Sequence, residues 1–125
     1  MMFRPICASI VAFLALNQPA NAQATQQFRA TMHMSNARAE FVRQCAPHML
    51  GRWAHPEQVC ACLHDHAAAV VHDSDLRLAL LRGISETGVP TIENDWVPAS
   101  KQSEIGPTFT MIAKPTLQCM FDPAK

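Results

Sequence analysis

Apolar positions recur along most of the chain at helical spacing. In "SNARAEFVRQCAPHML", Phe41, Val42, Cys45 and Met49 follow the i, i+4, i+8 pattern of one helical face, and Ser35 or Asn36 is placed to cap it. Pro47 removes a backbone donor, so this first helix is expected to kink or to stop near Ala46. "GRWAHP" reads as a turn, with Gly51 as the breaker and Pro56 at the first position of the next helix. The second helix, Ala-rich and free of Gly, is expected from about Pro56 to His72. The third, "DLRLALLRGISE", is capped by Asp73 or Ser74. It carries a stripe of Leu76, Ala79, Leu80, Gly83 and Ile84, and Gly88 and Pro90 end it.

Thr87 to Gln102 reads as one long loop. In the last segment Ile105, Phe109, Ile112, Thr116 and Cys119 step by 4, 3, 4 and 3, a helical seam. A fourth helix therefore starts near Pro107, with an interruption expected at Lys114-Pro115.

The first residues follow a different pattern. Arg4 precedes an apolar run of eleven residues, Ile6 to Leu16, and Ala20-Asn21-Ala22 then gives the small-x-small motif of a signal peptidase site. This order identifies a secretory signal over residues 1–22, with cleavage between Ala22 and Gln23. The run is shorter than the ~20 apolar residues that a bilayer core requires. Residues 23–34 form a polar, Gln-rich arm, and residues 35–125 a single helical domain. No membrane insertion is expected after the signal is removed.

Charge narrows the function classes. Without Arg4 the chain holds nine Lys and Arg against ten Asp and Glu, so nothing favours nucleic acid or an anionic membrane surface. All six histidines lie between His33 and His72, a half that gains positive charge at mildly acidic pH.

Cysteine parity changes the picture most. Loss of the signal removes Cys7 and leaves Cys45, Cys60, Cys62 and Cys119, an even count in an exported chain and hence a disulfide framework. On a helix turning ~100° per residue, Cys60 and Cys62 stand ~200° apart and cannot bond each other. Cys60 shares a face with Leu63, His64, Ala67 and Val71, and Cys62 shares one with His66 and Ala69. In an antiparallel helical hairpin Cys45 and Cys60 sit at one level, which favours Cys45–Cys60 with Cys62–Cys119. The swapped pairing, Cys45–Cys62 with Cys60–Cys119, needs an axial offset of only ~3 Å and stays open. The fold class expected is all-α: a small disulfide-stapled bundle of three to four short helices with one long loop.

"CACLHDH" also invites metal and redox readings. Cys60 and His64 are spaced i, i+4, as are Cys62 and His66, but the two pairs face different ways and do not converge on one ion. No metal or other cofactor is therefore favoured. The alternative is copper or zinc held in the histidine-rich half, with His64, His66 and His72 as ligands once the cysteines are bridged, and "MHM" at Met32 to Met34 nearby. A thiol–disulfide enzyme would need Cys60 and Cys62 bonded to each other in a broken helix, and "VCACLHDHAAAVV" offers no Gly or Pro to break it. C-x-x-C, C-x-x-C-H, G-x-S-x-G, H-E-x-x-H and a phosphate-binding glycine loop are all missing. No catalytic residues are assigned, and the expectation is a protein that is not an enzyme. Trp96, with Glu93 and Asp95 beside it in the long loop, is the candidate contact point for a partner.

Four stretches, "FVRQC", "VCACL", "SDLRLALL" and "LQCM", follow the signal in an order that resembles a loose group of small exported bacterial four-cysteine proteins, mostly of unassigned function. The resemblance rests on spacing and covers under a third of the mature chain. It implies an all-helical, disulfide-stapled periplasmic domain and brings no catalytic residues. The function expected is that of a small periplasmic binding or accessory protein, such as an inhibitor or immunity protein or a subunit of an envelope complex.

Overall fold

The computed structural model describes residues 26–30 and 36–123. The signal segment, the cleavage point and the "MHM" motif lie outside them. Among the described residues the regular structure is helical, with no strand. Helix α1 spans Ala37–Met49, α2 Pro56–Val70, α3 Ser74–Thr87 and α4 Ile105–Phe121. Residues 26–30 form a helical turn, and two 3-10 segments, Asn94–Trp96 and Ala99–Glu104, occupy much of the segment between α3 and α4. The all-α, disulfide-stapled bundle expected from the sequence is the fold.

Helix α1 packs on α2 and α3, and α2 packs on α4. The core is built from Phe41, Cys45 and Met49 of α1, Val59, Cys60, Leu63 and Ala67 of α2, and Leu76, Leu80 and Ile84 of α3. Two disulfides join neighbouring helices. Cys45–Cys60 links α1 to α2, with its Cα atoms 5.9 Å apart, and Cys62–Cys119 links α2 to α4, at 5.5 Å. They close separations of 15 and 57 residues. In the chain-entropy model such loops contribute about 3 and about 4 kcal/mol.

Helix boundaries follow local chemistry. Asp73 caps α3, its Oδ1 accepting from the Asp75 and Leu76 amides at 2.9 and 3.0 Å. Gly88 ends α3 in the left-handed region, at φ 69°, where a Cβ would be strained. Helix α2 stops at Val70 and leaves Val71 and His72 as linker, two residues earlier than the sequence suggests.

Neither proline ends its helix. Helix α1 does not stop at Ala46 but continues through Pro47 to Met49. Met49 has no exposed surface, and burying it holds the last turn in place. Helix α4 is likewise continuous through Pro115. Ile112 and Cys119 are buried on either side of it, and the Thr116 hydroxyl bonds the carbonyls of Ile112 and Ala113 at 2.8 and 2.9 Å. The seam of α4 also differs: Thr108 is buried where Phe109 was expected, and Phe109 is half exposed.

The segment after α3 is anchored along its length. The Glu93 amide donates to the Ala79 carbonyl at 3.2 Å, so the chain crosses α3 at close range. Gly83 allows this approach, since a Cβ there would lie 1.9 Å from the Thr91 carbonyl oxygen. Lys101 then reaches back to the start of α3, its Nζ 2.7 Å from Asp73 and 2.9 Å from Asp75. Arg29 of the N-terminal turn joins the same cluster, 3.0 Å from Asp75. Hydrogen bonding to Lys101 holds both carboxyls below their ordinary range, and the two carboxylates push Lys101 up to about 12.

Two predictions concern this anchoring. Gly83→Ala should lower stability by about 1–3 kcal/mol, because backbone must move to admit the methyl. Gly106→Ala, where nothing lies within 4 Å, should be neutral or mildly stabilising, and denaturant titration of both variants checks the contrast. For the ion cluster, carboxyls lowered in the fold add stability above their unfolded value of about 3.9, and that stability is lost as pH falls through the lowered folded values. Raised Lys101 adds stability below about 10.4, lost as pH rises through the folded value of about 12. The stability gap between the wild type and Lys101→Met should therefore be constant near neutrality, shrink below about pH 4 and close again at strongly alkaline pH. Melting temperatures across that range test it.

Candidate functional site

Helix α2 carries the chemistry-bearing stretch, and the helix sends its residues in different directions. Cys60 points into the core with no exposed surface, toward the equally buried Cys45. Cys62 is partly exposed and bonded to the buried Cys119. Cys60 and Cys62 are thus bonded to different helices and not to each other.

The three histidines named as alternative ligands are not brought together. His64 is mostly covered, its ring 5.4 Å from that of Phe41 and its Nδ1 3.2 Å from Asp65 Oδ1. His72 is exposed in the linker beyond α2. His66 is partly buried one turn after Cys62, on the side that meets α4. There a ligand atom of His66, the sulfur of Cys62 and that of Cys119 all lie within 4.8 Å of one another. The Cys62–His66 spacing is visible in the sequence. Cys119, 57 residues from Cys62, joins them only through the packing of α4.

Trp96 is spent largely inside the fold. Its ring meets Phe28 edge-on at 5.5 Å, and the Arg82 guanidinium lies over both rings, 5.5 Å from Phe28 and 5.4 Å from Trp96. Phe28 belongs to the segment read as a polar arm, yet it is buried. A single aromatic in a Gln-rich stretch has no periodicity to betray it. Asp95 is exposed and Glu93 half-buried. Burial, with the nearby Glu86 carboxylate, pushes the Glu93 carboxyl above its ordinary value.

The larger surface feature lies elsewhere. An open groove of about 960 Å³ runs along the α1–α2 hairpin, with Ala39, Val42, Ala46, Leu50 and Ala54 among its lining residues. Leu50 is 70% exposed. A second hollow of about 570 Å³ is lined by Cys62, Asp65, His66, Ala69 and Pro123 and shares Arg38, Gln58 and Ala61 with the first. The two hollows are thus neighbours, and Cys62 lines the second. Its cations are paired. Arg38 binds Asp65 at 2.8 and 3.0 Å and holds that carboxyl below its ordinary value, and Arg43 pairs with Glu40. The sequence hides this groove because its small apolar residues look like helix filler.

No family model, curated protein or solved structure matches the chain. The two disulfides mark the chain as one that folds in an oxidising, extracytoplasmic environment. No helix among the described residues is long and apolar enough to cross a membrane.

Proposed function

We propose that the protein is a small non-enzymatic binding or accessory protein of the periplasm, exported by residues 1–22, that holds a helical segment of an envelope protein in its α1–α2 groove. The observation that carries this reading is the groove itself, with Ala39, Val42, Ala46 and Ala54 in its lining and an exposed Leu50 at its end. Small side chains let a third helix approach to the 8–10 Å spacing of packed helices. The thirteen residues of α1 offer a track of about 20 Å, about three and a half turns of a partner helix. A bound extended peptide would leave backbone groups without a sheet edge to pair with, since no strand is present among the described residues. With Arg38 and Arg43 already paired, the face presented to the groove is expected to be mainly apolar, with at most a cation toward Glu57. The groove replaces the Trp96 loop as the contact surface in this reading, because the Trp96 ring is engaged with Phe28 and Arg82. An inhibitor or immunity protein and a subunit of an envelope complex are two forms of the same proposal.

A photo-crosslinking residue at Leu50 should give one defined adduct in periplasmic extract, mapping to an amphipathic helical segment of the partner. The same residue at Ser100, in the segment between α3 and α4, should give none. Ala39→Arg and Ala54→Arg, both at exposed positions, should abolish the adduct with the melting temperature unchanged. Adducts only from Ser100, or an adduct at Leu50 that survives both substitutions, would contradict the proposal.

A further inference from the structure

We propose that Cys62, Cys119 and His66 form a redox-gated site for a thiophilic d10 cation, Zn²⁺ or Cu⁺, present only when the Cys62–Cys119 disulfide is reduced. This goes beyond the partner-binding reading and does not depend on it. Two thiolates and an imidazole are the donors that such ions select. All three ligand atoms already lie within 4.8 Å of one another, two on consecutive turns of one face of α2 and one on α4. In the oxidised protein the sulfurs are bonded and supply no thiolate, so the disulfide closes the site.

The two disulfides differ in access. Cys45 and Cys60 both have no exposed surface. Cys62 is partly exposed and lines the 570 Å³ hollow together with His66. A reductant entering that hollow meets Cys62 and leaves Cys45–Cys60 untouched. Thiol–disulfide exchange depends on access in this way. With Cys45–Cys60 intact, α1 stays tied to α2. The α2–α4 packing, with Ile112 and Thr116 buried, keeps Cys119 near His66.

The step balances with a dithiol donor of the thiol–disulfide oxidoreductase class. One donor thiolate attacks Cys62 Sγ, the Cys62–Cys119 bond breaks, and Cys119 leaves as a thiolate. The second donor thiol then attacks the mixed disulfide and releases Cys62. The donor ends as its own disulfide, and two electrons and two protons have passed to this chain. The cation then displaces both thiol protons to solvent.

The full purified protein would be reduced in steps under anaerobic conditions with an immobilised phosphine, and free thiols would be alkylated and mapped. The two-thiol form would be titrated with Zn²⁺, and separately with Cu⁺, against a chromogenic chelator. The expected result is release of Cys62 and Cys119 first, one equivalent of cation bound with the helical circular dichroism retained, and none bound by the oxidised protein. His66→Ala should weaken binding by about tenfold or more, at least the loss that follows removal of a group supporting a metal ligand. His64→Ala should leave binding unchanged. Should His66→Ala lose helicity, His66→Gln carries the same test. Reduction of Cys45–Cys60 first, no cation bound by the two-thiol form, binding only after helicity is lost, or equal affinity in the His66 variant would each overturn the proposal.

Discussion

Cys60 and Cys62 stand ~200° apart around α2, and each is bonded to a helix on its own side, α1 through Cys45 and α4 through Cys119. A two-residue offset on one helix thus fixes the order α1, α2, α4 across the bundle. Helix α3 has no disulfide; it buries Leu76, Leu78, Leu80, Leu81 and Ile84 and is tied at its start by the Lys101 and Arg29 ion pairs. Helix α4 is the opposite case. It buries Ile112, Cys119 and two threonines while leaving Phe109, Met111 and Leu117 about half exposed. Its packing on α2 and the Cys62–Cys119 bond both hold it to the bundle. A domain this small has little apolar area to offset the entropy of folding, and cross-links compensate by narrowing the unfolded ensemble.

Periodicity made the helices legible because each buries a single stripe. Asp73 and Gly88 marked the limits of α3 with side-chain and backbone chemistry that is local and readable. Pro47 and Pro115 end neither helix, for a shared reason. Local backbone cost argues for a break, but Met49 in one helix and Ile112 with Cys119 in the other are buried beyond the proline and hold the helix through it. Phe28, Gly83 and the Cys62–His66–Cys119 grouping were illegible because each depends on a partner distant in sequence. Phe28 needs Trp96 and Arg82, Gly83 needs Thr91, and His66 needs Cys119. Trp96 beside two acids reads as a contact point, and its packing on Phe28 is not visible in the sequence.

The two staples also divide the surface. On the α1 side of α2 the disulfide is sealed in the core, and the hairpin outside it presents a groove of small residues. On the α4 side Cys62 of the other disulfide lines the second hollow, with His66 beside it. A stapled scaffold, a groove with small apolar residues in its lining and a disulfide with one partly exposed cysteine are thus consequences of one arrangement of cysteines on α2. The segment between α3 and α4 is tied down by its close approach to Gly83, by Lys101 and by Trp96.

The most direct measurement is the disulfide map of the native protein. No protease cuts reliably between Cys60 and Cys62, which only Ala61 separates, so the map requires partial reduction, alkylation and tandem fragmentation of the linked peptides. Cys45–Cys60 together with Cys62–Cys119 is the predicted result. Cys45–Cys62 with Cys60–Cys119, or a Cys60–Cys62 bond, would contradict it, since either would turn or break α2 and remove both the buried staple and the accessible one.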